Sequence, residues 1–184
     1  WAGEPMTLRG CWTDDWTPRT AGEWDQAAQQ DAIQRAWVYS ERFAAGEPVD
    51  WQYECTMRVH GWVKHSDRWK REIRRFRKSG IWVPKKSKKT PTEAGWSLYH
   101  TCADGEHGAK CFWGAADGRQ AGLAAEHAIA MVEASPELMA DCKINKNLKR
   151  VTYLPTRSFA EPLSSANAQT QKSKEGLNGS LFID

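Results

Sequence analysis

The chain has 184 residues, of which 40% are hydrophobic and 27% charged, with a formal net charge of +3 and a mean hydropathy of −0.72. That length suits one domain with extensions or two small units, and no apolar run approaches the roughly eighteen residues of a membrane-spanning helix. Five widely spread cysteines, an odd number, fit a secreted disulfide framework poorly and favour a reduced compartment.

Residues 1–22 are rich in Trp, Thr, Gly and Pro, show no period and read as an irregular arm. The chain opens Trp1-Ala2-Gly3 without an initiator Met, which suggests a removed presequence and an organelle, mitochondrion or plastid. Residues 23–45 read as a helix, with Ile33, Ala36, Trp37, Ser40 and Ala44 on one face, acids early and Arg35 and Arg42 late. Gly46-Glu47-Pro48 stops it.

Trp51, Tyr53, Cys55, Met57 and Val59 alternate with polar neighbours, which predicts a strand over residues 51–59. A short strand over 62–64, a turn at Ser66-Asp67 and a strand over 68–78 follow. The last would carry Trp69, Arg71, Ile73 and Arg75 on one face and Lys70, Glu72, Arg74 and Phe76 on the other. Pro84, Pro91 and Gly95 mark residues 84–95 as loop. Ala109 to Trp113 reads as a strand, and Arg119 to Glu133 as an Ala-rich helix. Its small face, Ala121, Ala124, Ala125, Ala128 and Val132, lets it lie close to a sheet. Ser135-Pro136 starts a short helix that runs to about Cys142. From Val151 the chain is rich in Ser, Asn, Gln and Pro and reads as an extended tail, ordered only by lying on something else.

Charge is concentrated in one stretch. Residues 62–89 hold twelve Lys/Arg against Asp67 and Glu72, a net +10, so the remainder sums to −7. Trp62, Trp69, Phe76 and Trp82 are threaded through it, and a basic block with aromatics at strand spacing reads as a folded surface aimed at polyanions. Strands of this kind can lie in a groove, with cations on phosphates and an occasional side chain on base edges. The alternative is a basic patch for acidic protein or lipid headgroups. Eleven tryptophans exceed what a core of this size needs, leaving several to face a partner.

His100, Cys102, His107 and Cys111 have the most metal-like spacing, since two thiolates and two imidazoles suit tetrahedral zinc. A Cys102–Cys111 disulfide and four free side chains are the other readings. Gly105-Glu106-His107-Gly108 has the shape of a glycine clamp on nucleic-acid backbone, a pattern with little specificity. No phosphate loop, nucleophile elbow or metalloprotease helix is found, so no enzyme is expected.

Two segments together resemble the APETALA/ethylene-response-factor DNA-binding domain, in which three antiparallel strands pack on one helix. Trp69-Lys70-Arg71-Glu72-Ile73-Arg74 is similar to that family's second strand. Lys110-Cys111-Phe112-Trp113-Gly114-Ala115-Ala116-Asp117, with the helix after it, is similar to the third strand and helix. The resemblance implies Lys70, Glu72, Arg74, Lys110 and Phe112 facing a groove, and Trp69, Ile73 and the alanine face forming a core. Arg71 departs from the pattern, as does an insert over residues 79–108.

The expected protein is therefore α+β: a three-stranded antiparallel sheet on an Ala-rich helix, with an N-terminal helix and irregular extensions. Its parts are an arm and helix over 1–55, a basic strand–helix domain over 56–135, and a short helix and tail over 136–184. The expected function is non-enzymatic nucleic-acid binding within an assembly of other protein subunits. The binding set is Lys64, Arg68, Lys70, Glu72, Arg74, Lys85, Lys86, Lys88, Lys89, Lys110 and Phe112. The alternative is an accessory subunit of a ribosomal, respiratory or photosynthetic complex. No cofactor is required beyond the zinc considered above.

Overall fold

A computed structural model describes residues 11–13, 47–76, 78–115, 118–163 and 179–183. They divide into two compact units, one built on residues 11–13 and Pro48–Ser87, the other on the described residues from Lys88 onward. The helix expected over residues 23–45 lies outside the described residues. Of the arm expected over 1–22, residues 11–13 are described, and they form a strand.

In the first unit, β1 (Cys11–Thr13) pairs antiparallel with β4 (Ser79–Ile81). The strand expected over residues 51–59 is instead a helix, α1 (Asp50–His60). Gln52, Cys55, Thr56 and His60 are its buried residues, and they fall at helical spacing. The odd-numbered alternation in this segment did not mark the buried face. The Val49 N–H donates to Gln52 Oε1 at 2.8 Å, and Arg58 donates to Glu54 one turn back, also at 2.8 Å.

β2 (Val63–Ser66) and β3 (Arg71–Arg74) form an antiparallel hairpin in the register Val63↔Arg74, Lys64↔Ile73, His65↔Glu72, Ser66↔Arg71. Of the single strand expected over residues 68–78, only Arg71–Arg74 is strand; it follows a turn, and the next strand begins at Ser79. Lys70 closes the turn with φ +52° and donates its N–H to the Ser66 carbonyl at 2.8 Å. Buried Trp62 and Phe76 cluster at the root, where the Arg75 N–H donates to the Trp62 carbonyl at 2.9 Å.

The second unit is a five-stranded mixed sheet with helices. Its elements are α2 (Lys89–Cys102), β5 (Lys110–Gly114), α3 (Gly118–Ala134), α4 (Pro136–Asp141), β6 (Cys142–Asn145), β7 (Arg150–Tyr153), β8 (Ser158–Pro162) and β9 (Ser180–Ile183). The strand order is β6-β7-β8-β5-β9. The first three form an antiparallel meander, and β5 runs parallel to both β8 and β9. Helices α2 and α3 pack on each other, and both pack on β5 and β8. Trp113, Leu98, Val132, Val151, Cys111, Ala125, Ala128 and Ala160 are fully buried between them.

This corrects the expected fold. The strand at Lys110–Gly114 and the Ala-rich helix are present, but β5 pairs with β8 and β9 and not with Arg71–Arg74. The three-stranded antiparallel sheet implied by the family resemblance is not formed. Trp69, assigned above to a sheet–helix core, is 60% exposed in the hairpin turn. The supposed loop and insert contain α2, whose residues Thr92 and Ala94 to Thr101 are all buried. Pro91 misled because proline is tolerated in a first helical turn, where its missing N–H has no intrahelical acceptor. The tail expected from Val151 begins with two strands of the same sheet and ends on β9. Val151 and Ala160, opposite each other and wholly buried, draw their stability from neighbours that a local pattern does not display.

Candidate functional site

The N-terminus of α2 combines unusual features. Its N-cap is Lys88, with φ +63° and ψ +28°, a left-handed conformation that costs a non-glycine residue about 1–2 kcal/mol. Lysine also has no side-chain acceptor to offer the first-turn amides, where Ser, Thr, Asp or Asn is preferred. Lys89 and Thr90 open the helix, and no acidic residue stands in its first turn. The Lys88 carbonyl accepts from the Thr92 N–H at 3.2 Å and from Thr92 Oγ1 at 2.8 Å, which anchors this turn. Two exposed lysines therefore stand at the positive end of a helix dipole, where acidic residues are the usual choice.

The other end of α2 fixes its direction on the sheet. His100 Nδ1 lies 2.9 Å from Oγ of Ser180, the first residue of β9, and its ring packs on Phe182 at 5.2 Å. Cys102 hydrogen-bonds with Cys142, the first residue of β6. The C-terminal end of α2 is thus held where the strands begin. Its N-terminal end lies about 20 Å along the axis from there.

In sequence, Val83 and Lys88 stand where the phosphate-loop pattern G-x-x-x-x-G-K-[ST] has its glycines, and Lys89-Thr90 fill its last two positions. A search requiring glycine misses the segment. The signal that remained was Lys-Thr ahead of a helix, hidden because Pro91 and Gly95 made the helix itself unreadable. The left-handed backbone usually supplied by glycine is adopted here by Lys88.

The expected binding residues do not form one strand face. Lys64, Arg68, Lys70, Glu72 and Arg74 belong to the hairpin of the first unit: Lys64 on β2, Arg68 and Lys70 in the turn, Glu72 and Arg74 on β3. Lys85 and Lys86 are exposed in a turn of the same unit, where Ser87 Oγ donates to the Pro84 carbonyl at 2.7 Å. Lys88, Lys89, Lys110 and Phe112 belong to the second unit. Lys110 is exposed, but Phe112, expected on a groove-facing surface, is buried edge-on against Phe159 at 5.9 Å.

The supposed zinc ligands are dispersed in role. His100 is engaged by Ser180, His107 is exposed in a turn, and Cys111 is buried in β5. Cys102, Cys111 and Cys142 are free thiols, so Cys102 and Cys111 are not bridged. No group of three or more metal-ligating side chains forms among the described residues. The hydrogen bond from the Cys102 thiol to Cys142, aided by burial, pushes the Cys102 thiol far above its ordinary range, and the same bond lowers that of Cys142. The glycines at 105 and 108 take positive φ, and the loop between them is pinned to β8 by Ser158. That hydroxyl accepts from the Ala109 N–H at 3.0 Å and donates to the Glu106 carbonyl at 3.2 Å. No helix among the described residues is long and apolar enough to cross a membrane.

No family model matches this sequence, and no curated protein matches it. Among solved structures, the crystal structure of the HK97 bacteriophage large terminase is similar, with a TM-score of 0.58 and 16% identity. The match covers 82% of this chain and 36% of that one, so the chain spans about a third of the terminase. The likeness is one of fold. It overturns the expectation of a non-enzymatic protein, because the fold is shared with a large terminase.

Proposed function

We propose that the chain binds the phosphates of a nucleoside triphosphate at the N-terminus of α2, as the nucleotide-handling part of a terminase-like enzyme. The observation that carries this reading is the reversed electrostatics of that terminus: left-handed Lys88, then Lys89 and Thr90, with no acid in the first turn. A bound polyphosphate would meet two lysines and a positive helix end together, each of which favours an anion. Lys89 would neutralise phosphate oxygens, and the first-turn amides would add donors that follow the helix direction. The Thr90 hydroxyl is a hard oxygen ligand of the type that suits the Mg²⁺ accompanying a nucleotide. The likeness to a large terminase supports the same reading at the level of fold.

Calorimetric titration with Mg²⁺–ATP, and in parallel with AMP, tests it. ATP should bind and AMP should bind far more weakly. Lys89→Ala should weaken ATP about 10- to 100-fold, the scale of a charge-assisted hydrogen bond. Absence of ATP binding, or equal binding by Lys89→Ala, would overturn the proposal.

A further inference from the structure

We infer that the β2–β3 hairpin is a second binding site, one that holds an unpaired nucleic-acid strand through cations on its strands and turn and through Trp69 at its tip. Residues 63–75 carry six Lys/Arg against two acids, a net charge of +4 in a ribbon of two four-residue strands. Lys64, Arg68 and Lys70 are all exposed, and Lys64 shares the register-defined face of Ser66 and Arg71.

The turn is built rather than loose. The Lys70 N–H donates to the Ser66 carbonyl at 2.8 Å, and the Trp69 N–H donates to Ser66 Oγ at 3.4 Å. Trp69 is therefore held at a fixed backbone position while 60% of it stays in solvent. The Arg68 guanidinium lies over the ring, 5.1 Å from its centroid, which places a cation beside a stacking platform. Trp62 and Phe76 anchor the root, which matters because an isolated two-stranded hairpin is marginal in water.

An exposed tryptophan backed by arginine and flanked by lysines matches the way single strands are held, with bases stacked on aromatics and the backbone tracked by charge. Duplex bases are already stacked and offer Trp69 no free face, so a duplex would engage only the cations. An acidic peptide would likewise leave the ring unused.

The test is fluorescence anisotropy of labelled oligothymidylate with the full chain, alongside oligouridylate, a duplex of equal length and polyglutamate. Oligothymidylate and oligouridylate separate DNA from RNA as the source of the strand. The expected result is a preference for single strand over duplex and polyglutamate. Trp69→Ala should lose about 5- to 100-fold, and Trp69→Phe should keep most of the affinity. Lys64→Gln and Lys70→Gln should each flatten the slope of log affinity against log salt by about 0.7. Because Trp69 is exposed, its replacement should leave the far-ultraviolet circular dichroism unchanged. Equal affinity of Trp69→Ala and the parent for oligothymidylate, or polyglutamate bound as tightly as the oligonucleotide, would overturn the inference.

Discussion

Helices α1 and α2 make opposite use of the same electrostatics. In α1, Asp50 stands in the first turn and Arg58 in the last, so each charge opposes the dipole end it meets. In α2 the first turn has lysine and no acid, on a backbone already held left-handed at Lys88. Their buried faces differ as well. That of α1 is largely polar, with Gln52, Thr56 and His60, whereas that of α2 adds Ala94, Trp96, Leu98 and Tyr99 to its buried Thr92, Ser97, His100 and Thr101. The helix packed most firmly into a core is thus the one whose terminus is arranged against its own stability. Local rules tend to be broken where function requires it, with tertiary packing covering the cost.

The contrast can be broken most forcefully from inside the second unit. Leu98→Ala removes a fully buried side chain and should cost about 2–5 kcal/mol in urea unfolding. Thr56→Ala in α1 should cost only about 1 kcal/mol, the scale of its bond to the Gln52 carbonyl. Equal losses would contradict the assignment of α2 as the better-packed helix. A smaller effect sharpens the electrostatic half. Asp50→Lys should lower stability by about 0.3–1 kcal/mol, and adding an acid to the first turn of α2 as Thr90→Glu should raise it by a similar amount without nucleotide, both fading with added salt. Thermal melts at low and high ionic strength would show the two signs. Smallest is Lys88→Gly. Relief of the left-handed strain is offset by glycine's extra unfolded entropy, about 0.5–1 kcal/mol. The melting temperature should hardly move, and ATP affinity should fall less than in Lys89→Ala, since the backbone shape at position 88 is kept while one of the two cations is lost.

The sequence showed parts better than their assembly. The Ala-rich helix was legible because it repeats its period over its own length, and the strand from Lys110 because glycines at 105, 108 and 114 bracket it. The hairpin was legible as basic and aromatic, though Trp69 was given to a core it does not enter. The strand pairings were not legible: Val151, Ala160 and Phe182 sit in strands of four or five residues, too short for a period and stabilised by partners far along the chain. The helix α2 was lost to two punctuating residues, Pro91 and Gly95, whose meaning depends on position within the first turn and on close packing. The phosphate-binding candidate vanished with it. Glycine was sought where the backbone, and not the residue type, carries the geometry.

The order of the five-stranded sheet also bears on how the protein comes together in time. Ile144 faces Val151 and Val151 faces Ala160, so the meander closes over short stretches of chain. Strand β5 has no such neighbour: Lys110 meets Phe159, and Cys111 meets Ser180. Ordering those longer loops has to come before the parallel contacts can reward it. The meander can therefore assemble early, while β5, β9 and the α2 end that β9 touches at Ser180 wait for the distant chain to return. Until it does, the two flanks of β5 are open edges, the surfaces through which such a chain would pair with another copy of itself.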